Sequence, residues 1–218
     1  GLGRRALAVE VNVADPASME ALAEAAYAEF GQVNVLCNNA GTAVLKPYPE
    51  LTLEDWTKVL GANMMGVIYG VHAFLPRLIA QGLSGGPRHI VNPASMAGAG
   101  LASLRQLNAP YVTTKFAVVG LTEALNPILV EHGIHAAVLC PGMTVADPSQ
   151  PMTYRMPSAE WYKDNLLGPL DVGREVLASL EERRLYVFPH EAGLDEVIKR
   201  HEGVIEGFRQ ALAGHQKL

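Results

Sequence analysis

Short apolar segments alternate along this chain with longer segments of helical periodicity. Five short runs rich in Val, Ile, Leu and Ala predict β-strands, at Leu7–Val13, Val33–Cys37, Arg88–Asn92, Ile134–Cys140 and Leu185–Phe188. A helical segment follows each run. Strands that are apolar throughout are buried on both faces, and a helix is the compact connection between parallel neighbours. The pattern therefore predicts an open α/β fold, with a doubly wound parallel sheet and helices on both faces.

Local signals mark where several helices begin and end. Asp15-Pro16 supplies an N-cap and a first-turn proline for an Ala-rich helix that ends at Gly31. Thr52 and Asp55 have the spacing of a capping box. The remaining predicted helices run from Thr52 to Ile79, from Tyr111 to Glu131, from Asp171 to Glu182 and from Glu191 to Leu212.

Composition limits the classes of function. The chain has 218 residues, of which 49% are hydrophobic and 18% charged, which suits one domain over residues 1–218. A net charge of -5 with scattered basic residues argues against nucleic-acid binding. Cys37 and Cys140 lie in apolar runs, so we expect reduced core thiols in an intracellular protein. Apolar runs are interrupted before the ~18 residues of a membrane span, so we expect a cytoplasmic protein without membrane contact.

Candidate functional residues follow the predicted strands. In open α/β sheets, ligands bind outside the carboxyl ends of the strands. Asn38–Gly41, Asn92–Ser95 and Pro141–Thr144 occupy those positions. Tyr111 and Lys115 lie four residues apart on a predicted helix, which places both on one face about one turn apart.

These residues resemble motifs of the short-chain dehydrogenase/reductase family, and the likeness extends from about Leu7 onward. Five motifs occur in the family's order: the turn Asn38–Gly41, Asn63, Ser95, the pair Tyr111 and Lys115, and the turn Pro141-Gly142. The resemblance implies a Rossmann-like domain that transfers a hydride between NAD or NADP and a secondary alcohol or ketone. The bound small molecule would be apolar or aromatic.

The resemblance also implies a role for each motif. Tyr111 would exchange the hydroxyl proton, and the Lys115 ammonium would favour its phenolate and bond the nicotinamide ribose. Ser95 would hold the substrate oxygen, and Asn63 would anchor a water that relays protons. The implied cofactor-binding residues are Asn12, Val13, Asn39, Ala40, Gly41, Tyr111, Lys115, Pro141, Gly142 and Thr144. The implied substrate-binding residues are Ser95, Met143, Met152 and Tyr154.

The chain departs from the family pattern at its start. The family begins with a strand, a glycine-rich phosphate turn, a helix and a second strand, whereas Gly1–Gly3 is too short for that turn. We therefore expect strands 1 and 2 to be missing, either because the sequence omits an N-terminal part or because the chain is a fragment. The residue that selects NAD or NADP would be missing with them.

Two smaller departures concern cofactor contacts. Asn12 replaces an aspartate of many relatives, and Ala146 replaces a threonine after the Pro-Gly turn. Thr144 could substitute for that threonine or be an ordinary loop hydroxyl. His190-Glu191 and His201-Glu202 resemble the start of a zinc-protease helix but lack its second histidine, so we expect no metal.

Substrate and assembly are less determined by the sequence. Residues 143–170 are rich in Met, Tyr and Trp, which suits a lid over the substrate or, alternatively, oligomer packing. Residues 184–191 resemble members that oxidise bulky secondary alcohols, including aromatic ones. Apolar residues on more than one face of Trp56–Ile79 and Tyr111–Glu131 predict a homodimer or homotetramer. The alternative to an enzyme is a catalytically silent interaction protein or a truncated fragment unable to bind the dinucleotide, and a missing phosphate turn would favour either one.

Overall fold

A four-stranded parallel sheet forms the centre of the protein. The computed structural model describes residues 3–100, 108–144, 166–190 and 193–215. The strands lie in chain order as β1 (Val35–Cys37), β2 (Arg88–Pro93), β3 (Ile134–Leu139) and β4 (Tyr186–Val187). Leu36 pairs with Ile90, and Ile90 pairs with Ala136 across the next ladder. The prediction of a parallel α/β sheet is confirmed.

Helices connect the strands and cover both faces of the sheet. They are α1 (Pro16–Phe30), α2 (Leu53–Leu60), α3 (Gly66–Gln81), α4 (Met96–Ala99), α5 (Ala109–Glu131), α6 (Pro169–Glu182) and α7 (Leu194–His215). Between α2 and α3 the helix continues through one π-helical turn, Gly61–Met65. Short 3₁₀ turns occupy Tyr48–Glu50 and Leu83–Gly85.

The predicted caps form as their residue types require. The side chain of Asp15 accepts a hydrogen bond from the Ala17 amide at 3.0 Å. Gly31 ends α1 in a left-handed conformation with φ 77°, which glycine adopts without steric cost. Thr52 and Asp55 form a reciprocal capping box at the start of α2.

The core lies on both sides of the sheet. On one face, Leu36, Ile90 and Ala136 pack against α1, α3 and the end of α5. On the other face, the strands contact α6 through a separate cluster that contains Val91, Ala137, Leu139 and Val187 with Val172, Val176 and Leu180 of α6. Two covered faces are what a doubly wound sheet requires.

Two sequence predictions are wrong. Leu7–Val13 is not in a strand ladder, and among the described residues no strand lies beside it. A strand exists only through bonds to a neighbour, so Val11 and Val13 instead pack on the core as an irregular segment. Cys37 is exposed rather than a core thiol, because none of the described elements covers that side of β1; Cys140 is buried as expected.

One helical run is long and apolar enough to cross a membrane when judged by length and composition alone. It is Leu53–Gln81, the only such run within the described ranges. About half of its most apolar window, 44%, is buried inside the fold, and buried helices of water-soluble proteins pass the same test. The run is therefore weak evidence for a membrane.

Candidate active site

Tyr111 and Lys115 lie one turn apart near the start of α5. The Lys115 Nζ atom is 5.2 Å from the centroid of the Tyr111 ring. Lys115 also donates a hydrogen bond from Nζ to the carbonyl of Pro93 at 2.8 Å, two residues before Ser95. That bond uses one of the three donors of the ammonium group. The side chain thereby joins α5 to the carboxyl end of β2.

Burial strongly affects the charge of Lys115. The residue is only 8% exposed, and this desolvation lowers its pKa from 10.5 to about 8. A thiolate at the neighbouring Cys140 would act in the opposite direction and raise that pKa. Burial also raises the pKa of the Cys140 thiol, to about 11, so the thiol is neutral at physiological pH. The charge of Lys115 therefore depends on how strongly the groups around it solvate the ammonium.

Asn63 connects the loop after β1 to α5. Its side-chain oxygen accepts from the Thr42 amide at 2.7 Å, and its Nδ2 donates to the Thr42 carbonyl at 2.9 Å. Nδ2 also donates to Thr114 Oγ1 at 3.2 Å, and that hydroxyl donates to the Tyr111 carbonyl at 2.7 Å. Asn63 lies within the π-helical turn Gly61–Met65. The water-anchoring role of Asn63 stays a prediction.

Thr114 is a site residue that the sequence reasoning missed. It is fully buried and bonds both Asn63 and the Tyr111 backbone. Its position between Tyr111 and Lys115 could have predicted this role, because a threonine hydroxyl on a helix commonly donates to the carbonyl one turn earlier.

Ser95 occupies an unusual backbone conformation directly after β2. Its φ is 150°, a region that costs a non-glycine residue about 1–3 kcal/mol. Its Oγ accepts from the Ala97 amide at 3.1 Å and so caps the short helix α4. Accepting that bond leaves the hydroxyl hydrogen able to donate, which is the capacity that holding a substrate oxygen requires.

A series of hydrogen bonds between polar side chains lies beneath the candidate site. Asn38 donates to the side-chain oxygen of Asn92 at 2.8 Å, and Asn92 donates to Thr122 Oγ1 at 3.1 Å. Thr122 in turn donates to the Val118 carbonyl of α5 at 2.7 Å. These bonds tie the ends of β1 and β2 to α5, and a satisfied buried network of this kind fixes one arrangement.

The expected cofactor residues lie along one edge of the sheet. Asn39, Ala40 and Gly41 are exposed after β1. A Cβ at Gly41 would be 3.2 Å from Asn63 Oδ1, so a side chain there would crowd the Asn63 amide. Asn12 is exposed, and its Oδ1 accepts from the Ala14 amide at 3.1 Å. Val13 lies against the Gly66 backbone at the end of the π-helical turn.

The turn after β3 contains the remaining predicted residues. Pro141 and Gly142 follow Cys140, and the Pro141 carbonyl accepts from the Met96 amide at 3.0 Å. Met143 is partly buried, and Thr144 is exposed and forms an isolated bridge with Leu167. The predicted substrate residues Met152 and Tyr154 lie outside the described residues, as does Ala146.

The histidines occupy different environments. His132 offers its carbonyl to buried Arg88 at 2.7 Å, and His135 lies beside His89 with ring centroids 5.8 Å apart. Across the described ranges, no group of three or more possible metal ligands occurs. His190 contacts the turn after β3 through both ring nitrogens. His190 follows the strand β4 at the ligand-binding edge, and this position was a sequence signal for a role beside the site.

Comparison with known proteins shows the family of this chain. The sequence profile described as "short chain dehydrogenase" matches residues 1–156. The chain belongs to the short-chain dehydrogenase family. Cyclohexanol dehydrogenase of Acinetobacter sp. (strain SE19) is 34% identical to it over 176 residues, 80% of this chain and 66% of the relative. D-threitol dehydrogenase of Mycolicibacterium smegmatis is 36% identical over 136 residues, 62% of this chain and 50% of the relative.

Solved members of the short-chain dehydrogenase family share the fold. A short-chain dehydrogenase/reductase from Burkholderia phymatum, crystallised in complex with NAD, superposes with a TM-score of 0.78 at 32% identity. The match covers 92% of this chain and 76% of that protein. The Rossmann-like assignment is confirmed, while the chain spans just under two thirds of the first curated relatives that it matches.

Proposed function

We propose that this protein is an oxidoreductase that transfers a hydride between NAD or NADP and a secondary alcohol or its ketone. The observation that carries the proposal is the placement of the Lys115 ammonium 5.2 Å from the Tyr111 ring, at the ligand-binding edge of the sheet. A positive charge beside a phenol favours the phenolate, and a phenolate can take the proton of an alcohol.

The residues present suit the nicotinamide and ribose end of a dinucleotide. Small and exposed residues follow β1, so the backbone there is open to a ligand. The Lys115 ammonium keeps donors beyond its bond to Pro93, which suits ribose hydroxyls. When bound, the cofactor supplies the acceptor or donor of the hydride. The chain's own part is to orient the ligand, hold the substrate oxygen with Ser95, and exchange its proton through Tyr111.

The substrate class is supported by the relatives only in broad terms. One relative is named for cyclohexanol and another for D-threitol, an apolar alcohol and a polyol. We infer a small alcohol substrate, with an apolar or aromatic one favoured by the Met, Tyr and Trp content of residues 143–170. A second copy of the chain is the proposed partner, and the cytoplasm is the proposed location.

The test compares two tyrosine variants. We expect the full-length protein to reduce NAD or NADP with cyclohexanol as the first substrate, and the absorbance of the reduced nicotinamide measures the rate. Tyr111→Phe should lower kcat by at least a hundredfold, whereas Tyr27→Phe, which removes only a hydroxyl bond to Gln81 on the α1 side, should keep the rate.

Two results would contradict the proposal in different ways. A Tyr111→Phe variant with most of its rate would show that another group exchanges the proton. If titration calorimetry of the full-length protein gave no heat with either dinucleotide and no turnover were seen, the catalytically silent interaction protein would be favoured instead.

A further inference from the structure

At the end of the ladder between β3 and β4, a side chain replaces a backbone carbonyl as the hydrogen-bond acceptor. The Val138 amide donates to the Leu185 carbonyl at 2.7 Å, and the Cys140 amide donates to the Val187 carbonyl at 2.8 Å. Continuation of the parallel ladder would bring the Gly142 amide to the next backbone carbonyl. The amide instead donates to Nδ1 of His190 at 3.0 Å.

Both ring nitrogens of His190 contact the turn after β3. Besides the bond from the Gly142 amide, Nε2 lies 3.2 Å from the Met143 carbonyl. A backbone amide can only donate, so Nδ1 must be the unprotonated acceptor. A carbonyl can only accept, so Nε2 must carry the hydrogen. These two partners select the neutral imidazole with its hydrogen on Nε2.

The backbone at Gly142 approaches the imidazole too closely for a side chain. A Cβ there would lie 3.1–3.3 Å from three atoms of the His190 ring. On its other side, the turn bonds the Ser95 region, since the Pro141 carbonyl accepts from the Met96 amide. The turn is therefore held between His190 and the segment that contains Ser95.

We propose that His190 is a positioning residue that holds the turn Pro141–Met143 in place at the ligand-binding edge. It acts through the backbone of Gly142 and Met143. If the proposed function is correct, this turn faces the cofactor and the substrate oxygen site, so loosening it weakens cofactor binding. The effect on the turn itself does not depend on that function.

The first experiment uses the chain without cofactor. NMR of histidine-labelled protein should show the Nε2–H tautomer for His190, and hydrogen exchange should show protection of the Gly142 amide. His190→Asn places an acceptor oxygen near the Nδ1 position and should keep part of that protection, whereas His190→Leu should abolish it. His72→Leu, at an exposed position on α3, is the matched control and should leave the Gly142 amide protected.

The second experiment measures the consequence for ligand binding. Losing the bond to the Gly142 amide should raise the KM and Kd for the dinucleotide roughly tenfold in His190→Leu, with a smaller change in kcat and partial recovery in His190→Asn. Equal exchange of the Gly142 amide in wild type and both His190 variants, or an Nδ1–H tautomer, would refute the positioning role. A protected Gly142 amide in a full-length protein that binds no dinucleotide would instead refute the proposed oxidoreductase and leave the role of His190 intact.

Discussion

Burial of the Lys115 ammonium opposes folding by an amount that depends on pH. Its pKa in the folded chain, about 8, is below the ordinary value of 10.5. Below pH 8 both folded and unfolded chains carry the charge, so the full desolvation cost is present. Between about pH 8 and 10.5, the folded chain releases a proton that the unfolded chain keeps. The free energy of unfolding therefore rises with pH through this window.

The expected size follows from the two pKa values. The difference between 10.5 and about 8 corresponds to about 3 kcal/mol. Of this, about 2 kcal/mol is recovered between about pH 7 and 9.5. Lys115→Met deletes the charge, and its lost bond to Pro93 and altered packing change stability equally at every pH. The free energy of unfolding of wild type should thus rise by about 2 kcal/mol relative to Lys115→Met over that range.

Urea unfolding of the cofactor-free proteins at a series of pH values measures this difference. The range ends near pH 9.5 so that the Cys140 thiol, with its pKa raised to about 11, remains neutral. Lys58→Met, at an exposed position on α2, is the control and should stay parallel to wild type. If Lys115→Met were also parallel to wild type, the inferred desolvation of Lys115 would be wrong.

Three further predictions concern packing, acid stability and rate. Gly98→Ala should lower the free energy of unfolding by about 1–3 kcal/mol, because a Cβ there would lie 2.5 Å from a backbone carbonyl of α5, while Gly120→Ala, with open space around it, should be neutral or stabilising in urea unfolding. Burial lowers the pKa of His89 below 6.5, so as the pH drops the unfolded chain binds a proton at this residue before the folded chain does. The free energy of unfolding therefore falls below about pH 6.5. In thermal melts, the Tm should fall less steeply with decreasing pH for His89→Leu than for wild type, whereas His72→Leu, at an exposed position, should follow wild type. At saturating cofactor, alcohol oxidation by Lys115→Met should have its pH profile moved to higher pH, and an unmoved profile would show that the lysine does not favour the phenolate of the proposed acid/base.

The helix α1, the segment Leu7–Val13 and the residue Cys37 show which structural features can be predicted from local sequence. Asp15 and Gly31 delimit α1 as predicted, because a cap depends on residues within one turn of the helix end. Leu7–Val13 has the composition of a strand and is not one, because a strand also needs a neighbour with free backbone groups. Cys37 lies in an apolar run yet is exposed, because its local sequence does not show which of the described elements will cover it.

By itself, the sequence determined the alternation of strands and helices, the ligand-binding edge, and the order of Asn63, Ser95, Tyr111 and Lys115 along it. Only the tertiary structure decided the charge state of Lys115, the bonds of Thr114 and the contact of His190 with Gly142. The first group depends on periodicity and on residues a few positions apart. The second depends on burial and on contacts between distant segments, such as the 48 residues that separate Gly142 from His190, which form only when the helices and strands have packed together.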